Sequence, residues 1–263
     1  MTGAVRTKFS SDSFADRIHL RRSERARFMR DGALVVRRVF DPACVSAWRQ
    51  EVQAHFESPK KAIEWRHAVQ NIKHSRFHLR DDPKPAVNAR VSGLYEQLYG
   101  AANWHGINEL VVTPPEPETP WLGGRAPHLD FPLGCPERNL LNIVFYLDEV
   151  RSRGAAFAYW PGSHQVAYQY FRRHPDDYLA RGENSQDKIF ASIKREIDTP
   201  MVEFTAKPGD VLLWSSFLMH SATVNRSDRA RIAIIGRWGD LPSDPKRHFD
   251  FDAPLFHDWA CSR

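Results

Sequence analysis

Three cysteines in 263 residues, Cys44, Cys135 and Cys261, with no CxxC spacing, exclude a disulfide framework and a thiolate zinc site. No apolar run approaches the roughly 18 to 20 residues of a membrane span, and the opening MTGAVRTKFSSDSF has no apolar core of a secretory leader. A cytoplasmic protein without a membrane partner is therefore expected. Low-complexity tracts and internal repeats are missing too. The basic residues are in excess, giving a net charge of +5, but they are scattered. The densest cluster, HLRRSERARFMR, reads as the solvated face of a helix. No Lys/Arg stripe interleaved with aromatics offers nucleic acid a surface, so the expected partner is a small molecule.

What the chain does have is large rings, with eight Trp and sixteen Phe, and the ordinary apolar and charged fractions of a globular domain. Its length suits a single domain over 1–263. Through residue 108 the expected elements are mostly helical. SERARFMRDG runs from a capping Ser23 to a terminating Gly32; ALVVRRVF reads as a strand; Asp41-Pro42 opens a helix carrying Val45, Trp48, Val52 and Phe56 at helical spacing. RVSGLYEQLYGAANWHG, 90 to 106, reads as a further amphipathic helix. Between them His74 and His78 stand four apart, one helical face, but no third ligand accompanies them.

After Asn108 the texture changes to short β-rich runs: ELVVTPP, NLLNIVFYL, AAFAYWP, VEFTAKPGDVLLWSS, HSATVN and ARIAIIGRW. Pro, Gly, Asn and Asp separate them, the pattern of an antiparallel sandwich or closed barrel. The fold class is mainly β with flanking helices, a β core over 109–240 and a tail over 241–263. Residues 166–198 interrupt it as a polar, helix-like insertion containing FASIKREID.

The chemistry begins at RAPHLDFP. In an extended segment residues two apart share a side, so His128 and Asp130 can reach one ion while Leu129 turns away. A helix would part them by about 200°, and Pro127 and Pro132 discourage one. A third ligand must come from a strand remote in sequence, and His220 in DVLLWSSFLMHSATVN fits. Two histidines and a carboxylate on one face of a metal leave positions open for a chelating co-substrate and O₂, the arrangement of non-haem Fe(II) oxygenases.

A co-substrate such as 2-oxoglutarate needs a cation for its far carboxylate. If HSATVNRSDRARIAIIG is a hairpin turning at Asn225 to Asp228, His220 and Arg231 share its inner face; Arg229 and Arg237 have the same parity. Asn142 and Tyr146 alternate along NLLNIVFYL and either line the co-substrate pocket or pack in the core. PGSH (161–164) reads as a structural turn, with His164 near the site and not a ligand, and KPGD (207–210) as a hairpin turn. Trp160, Trp214, Phe131 and Trp238 read as barrel core, with Phe131, beside Asp130, also placed to shape the pocket.

The ordered set H128-L-D130, G154-AAFAYW-PGSH164, KPGDVLLW-x5-H220 and Arg231 resembles the phytanoyl-CoA dioxygenase family of Fe(II)/2-oxoglutarate oxygenases. The likeness extends to FMRDGALVVRRVFDPACVSAWRQEV and VTPPEP, and is weakest at 57–105 and 166–198. It implies a double-stranded β-helix, a cupin-like jelly roll, with helices outside. It also implies Fe(II) held by His128, Asp130 and His220, with Arg231 on the far carboxylate of 2-oxoglutarate. The chain departs from the pattern at Ala222, where many members carry a serine, and at Thr113, where some carry a lysine. The expected activity is hydroxylation, desaturation or ring formation on a small organic substrate, as in tailoring steps of secondary metabolism. Specificity is expected in 59–88, 115–125, 166–198 and the tail. A cupin-like metal isomerase or lyase that does not use 2-oxoglutarate is the alternative.

Overall fold

β-Branched and aromatic runs assemble into two antiparallel sheets in the computed structural model, which describes residues 18–57, 91, 93–100, 104–130, 141–179, 183–240, 251–257 and 259–262. The first sheet contains β1 (Ala33–Val36), β2 (Trp104–Thr113), β4 (Leu141–Tyr146), β7 (Val211–Ser215) and β9 (Arg231–Asp240). The second contains β3 (Gly124–His128), β5 (Phe157–Tyr159), β6 (Val202–Phe204) and β8 (His220–Thr223). Their orders are β1-β7-β4-β9-β2 and β3-β8-β5-β6, so the chain changes sheet after β2, β3, β4, β6, β7 and β8. This is the jelly-roll weave, which leaves the space between the sheets as the natural site for ligands.

Period-2 alternation gives the first sheet two apolar faces. Leu34, Leu110, Ile143, Phe145, Leu213 and Ile232 point outward. They pack with Phe28 of α1 (Arg22–Asp31), with Val45, Trp48 and Val52 of α2 (Pro42–Glu57), and with Leu94 and Leu98 of a helical segment over 93–98. Val144, Tyr146, Leu212, Trp214 and Ala233 point inward and meet Phe157 and Phe204 of the second sheet. Burying each such side chain contributes roughly 1.5–3 kcal/mol.

Local signals set the helix ends. Glu24 accepts the Arg21 N–H at 2.7 Å, so α1 starts at Arg22 and Ser23 lies within its first turn instead of capping it. Gly32 ends the helix at φ 73°, its N–H on Phe28 O at 2.7 Å. A Cβ there would sit 2.4 Å from His164 Nδ1, so glycine is required twice over. Asp41 caps α2 through Ala43 N at 2.7 Å. The side chain of Phe56 lies outside the described residues, as do Cys135 and the pair His74 and His78.

The polar insertion forms α3 (Ser163–Arg173), α4 (Pro175–Leu179) and α5 (Glu183–Glu196). It begins three residues before the expected 166, because Gly162 and Ser163 of PGSH open the helix. Ala167, Phe171, Phe190 and Ile193 form an apolar cluster with Leu129, Trp160, Phe217 and Met219. Leu129 separates His128 from Asp130 and Met219 precedes His220, so the insertion packs against the segments that carry all three of these side chains.

Three expectations are corrected. The helix read over 90–106 stops by residue 98, and β2 begins at Trp104; the β-branched ladder to β9 overrides the helical periodicity there. HSATVNRSDRARIAIIG is not a hairpin: β8 pairs with β3 and β5, and β9 with β4 and β2. Asn225, buried, draws the intervening segment across the barrel end by donating to Thr113 O and Arg229 O, both at 2.9 Å. KPGD is likewise a crossing turn between β6 and β7. Gly209 at φ 94° adopts a conformation that favours glycine, and a Cβ would meet Phe40 O at 2.3 Å.

Candidate metal centre

β3 and β8 bring the two histidines face to face. His128 and His220 are direct cross-strand partners, with ring centroids 4.4 Å apart. A register shift between Arg125 and His128, with Ala126 at φ 42°, re-aims the end of β3; an alanine in that region costs about 1–2 kcal/mol. Ser221 Oγ donates to Arg125 O and fastens the irregular segment to β8.

Each imidazole is tied the same way. His128 Nδ1 lies 2.9 Å from Ala126 O, and His220 Nδ1 2.9 Å from Leu218 O. A carbonyl only accepts, so the proton is assigned to Nδ1 in both rings and the Nε2 lone pairs are left for a ligand. Those Nε2 atoms lie 3.9 and 3.6 Å from Asp130 Oδ1. One donor atom from each of His128, Asp130 and His220 falls within 4.8 Å of the others, the one such group among the described residues. Neutral imidazoles and a carboxylate at this spacing suit a divalent iron. The side chains differ in exposure: 44% for His128, 8% for Asp130 and 4% for His220.

Further contacts orient the three. Asn142, fully buried on β4, donates from Nδ2 to Asp130 Oδ2 at 3.4 Å. The ring of Phe157 stacks on His220 at 5.0 Å and 12°. Ser163 Oγ accepts the Met219 N–H at 2.9 Å, and Trp160 N donates to Met219 O at 3.2 Å. PGSH therefore fixes the turn whose Leu218 carbonyl holds His220. His164 itself turns away, to Met29 O at 3.0 Å and onto Phe256, and burial lowers its pKa to about 4.

The cationic end lies on the first sheet. Arg231, 6% exposed, opposes Thr113 on β2 and donates from Nη2 to Thr113 Oγ1 at 2.7 Å. Its guanidinium stands 5.7 Å over the Tyr146 ring, and its Nε has no partner among the described residues. Burial pulls its pKa below the ordinary arginine value, with Tyr146 acting in the opposite sense. An unpartnered buried guanidinium N–H calls for an anion, which fits a dicarboxylate co-substrate. Tyr146 reaches the site through its ring: its hydroxyl donates to Phe204 O at 3.2 Å and accepts Phe157 N–H at 2.8 Å, and burial raises its pKa to about 12. His220, Phe157, Tyr146 and Arg231 thus form a continuous line of contact from one end of the site to the other.

Arg229 is exposed, and the side chain of Arg237 lies outside the described residues, as do Phe131 and the side chain of Trp238. Ala222, exposed, pairs with Phe157 and shares the parity of His220, while the neighbouring hydroxyls are turned to backbone: Ser221 to Arg125 O and Thr223 to Ala156 O at 3.2 Å. Neither replaces a serine at 222. Sequence reasoning missed Trp214, read as core, whose ring lies 5.5 Å from that of His220 with its N–H unpartnered. The position of Trp214 on the same parity as Leu212 was the available signal.

No helix among the described residues is long and apolar enough to cross a membrane. The sequence profile of phytanoyl-CoA dioxygenase (PhyH) matches residues 28–233. No curated protein matches the chain. Solved structures do. The non-haem α-ketoglutarate-dependent carbocyclase SnoK from nogalamycin biosynthesis shares 18% identity over 84% of this chain and 85% of its own, with a TM-score of 0.57. EctD from S. alaskensis shares 20% over 90% and 83%, TM-score 0.58. The epimerase SnoN, solved with Fe³⁺, α-ketoglutarate and nogalamycin RO, shares 19% over 86% and 93%, TM-score 0.52. At these identities the structural likeness establishes the fold.

Proposed function

The chain belongs to the phytanoyl-CoA dioxygenase family of non-haem iron, 2-oxoglutarate-dependent dioxygenases, and on that premise we propose that it oxidises a C–H bond of a small organic substrate. His128, Asp130 and His220 hold Fe(II) in this reading, and Arg231 holds the far carboxylate of 2-oxoglutarate. The observation that carries it is the matched tethering of the two imidazoles, each Nδ1 on a carbonyl and each Nε2 toward one carboxylate oxygen.

Fe(II) and 2-oxoglutarate, when bound with O₂, supply the oxidising power. The chain supplies geometry. Asn142 holds Asp130 in place, Thr113 and the face of Tyr146 hold Arg231, and Phe157 packs on His220 and keeps water from that side. The outcome is hydroxylation, desaturation or ring formation. A tailoring role in secondary metabolism is supported by the fold shared with SnoK, and site loops that vary on such barrels are the means of accepting different scaffolds.

The test is O₂ uptake and succinate formation by Fe(II)-loaded protein given 2-oxoglutarate without substrate. Slow, iron-dependent succinate production is expected. Full iron occupancy with neither succinate nor O₂ uptake would favour a non-oxidative isomerase or lyase on the same barrel.

A further inference from the structure

Four buried side-chain atoms lack a partner among the described residues: Asn142 Oδ1, His164 Nδ1, Trp214 Nε1 and Arg231 Nε. Arg231 Nε belongs to the anion anchor already described. His164 Nδ1 lies so close under Gly32 that even a Cβ there would approach to 2.4 Å, which leaves no room for a ligand. Trp214 and Asn142 remain. They are direct partners across the β7/β4 ladder and both are fully buried. One offers a donor and the other an acceptor, yet they do not bond to each other.

Trp214 stands against the metal centre. Its ring centroid is 5.5 Å from that of His220 and 4.6 Å from that of Phe157, which itself stacks on His220. The surrounding wall is apolar: Leu212, Val144, Leu218 and Phe157. In such a wall a plain aromatic ring would pack equally well without taking an N–H out of water. An indole N–H can only donate, and no described residue accepts from it.

On the facing strand Ala222, which shares the parity of His220, has no hydroxyl, and Ser221 and Thr223 have the opposite parity. Beside the three ligand residues, the acceptor-rich group expected is the anionic end of a chelating 2-oxo acid. We propose that Trp214 Nε1 donates to a carboxylate oxygen at the metal-binding end of the co-substrate, while Arg231 serves its far end. This rests on the reading of the site as a 2-oxoglutarate oxygenase. It makes Trp214 a binding residue contributed by the first sheet.

Trp214→Phe keeps a ring and removes the donor. Replacing the indole by 3-benzothienylalanine, which puts sulfur in place of N–H in nearly the same shape, repeats the test without a cavity. Under anaerobic conditions, Fe(II) affinity is measured first, and 2-oxoglutarate is then titrated into the loaded protein by calorimetry and visible absorption. Expected in both variants is Fe(II) affinity within about twofold of wild type, 2-oxoglutarate binding about ten- to a hundredfold weaker, and a shifted charge-transfer band. Wild-type affinity and band position in the variants would overturn the assignment alone. Parallel loss of Fe(II) and 2-oxoglutarate affinity with a lowered Tm would also overturn it, by making Trp214 a packing residue. Wild-type protein that loads Fe(II) and fails to bind 2-oxoglutarate would overturn both this and the functional reading.

Discussion

The strands of the first sheet reach ten residues, in Trp104–Thr113 and Arg231–Asp240, and pair in unbroken register; those of the second have three to five, and the β3/β8 ladder slips between Arg125 and His128. The long sheet buries apolar side chains on both faces, and its inner face carries Asn142, Trp214, Tyr146 and Arg231. The short sheet carries both histidines at one end. A regular ladder fixes side chains at intervals of two residues, which suits anchoring a co-substrate; converging three ligands on one point needs the bulge and turns that short strands allow. Metal binding should therefore follow the second sheet and its insertion, and co-substrate binding the first.

The largest effect is expected from Asp130→Ala. Losing the carboxylate shared by both imidazoles should reduce Fe(II) affinity at least about a hundredfold and abolish coupled turnover, read by metal titration and succinate formation. Arg231→Ala should split the other way. With a charge-assisted pair removed, the 2-oxoglutarate requirement should rise about a hundredfold while Fe(II) binding stays within about twofold. Equal loss of iron in the two variants would erase the division between the sheets.

A pH effect comes next. His164 is buried, and its pKa is lowered to about 4 from 6.5. The unfolded chain thus binds the proton more readily between these values. The stability due to the neutral imidazole is full above pH 6.5 and is lost as pH falls toward 4. The amount is about 3 kcal/mol. Urea unfolding of the metal-free protein should show His164→Gln with a shallower fall across that window than wild type; parallel curves would remove His164 from the account.

Ser163→Ala should be milder. It leaves the Met219 N–H without its acceptor, at about 1–3 kcal/mol, and loosens the turn that carries Leu218 O. Fe(II) affinity should fall a few fold, with 2-oxoglutarate affinity per bound iron unchanged. A loss of stability with iron affinity intact would confine PGSH to folding.

The meeting of His128, Asp130 and His220 was legible because its logic is local. Two residues apart in an extended, proline-flanked run point to one side, and a remote β-rich segment had a histidine to complete the set. Arg231 was singled out by an argument whose intermediate step, a β8/β9 hairpin, does not hold. Parity places His220 and Arg231 on inward faces whether β8 and β9 pair or oppose each other, so it cannot tell which sheet a strand joins. That choice was made by Asn225 and its bonds to Thr113 O and Arg229 O, contacts between residues far apart in sequence. The strand at Trp104 was hidden for a related reason, since its helical periodicity is overridden by a ten-residue ladder with β9. Trp214 reads as core because it is core on every side but one, and an unpartnered N–H is visible only once all its neighbours are in place.

The central claim is that these three side chains hold an iron that 2-oxoglutarate chelates. The direct measurement is an anaerobic titration of 2-oxoglutarate into Fe(II)-loaded protein, followed by the weak visible charge-transfer band of a chelated 2-oxo acid. The account predicts a saturable band in wild type that is absent in His220→Ala. No band from fully iron-loaded wild type, or an undiminished band in His220→Ala, would contradict it.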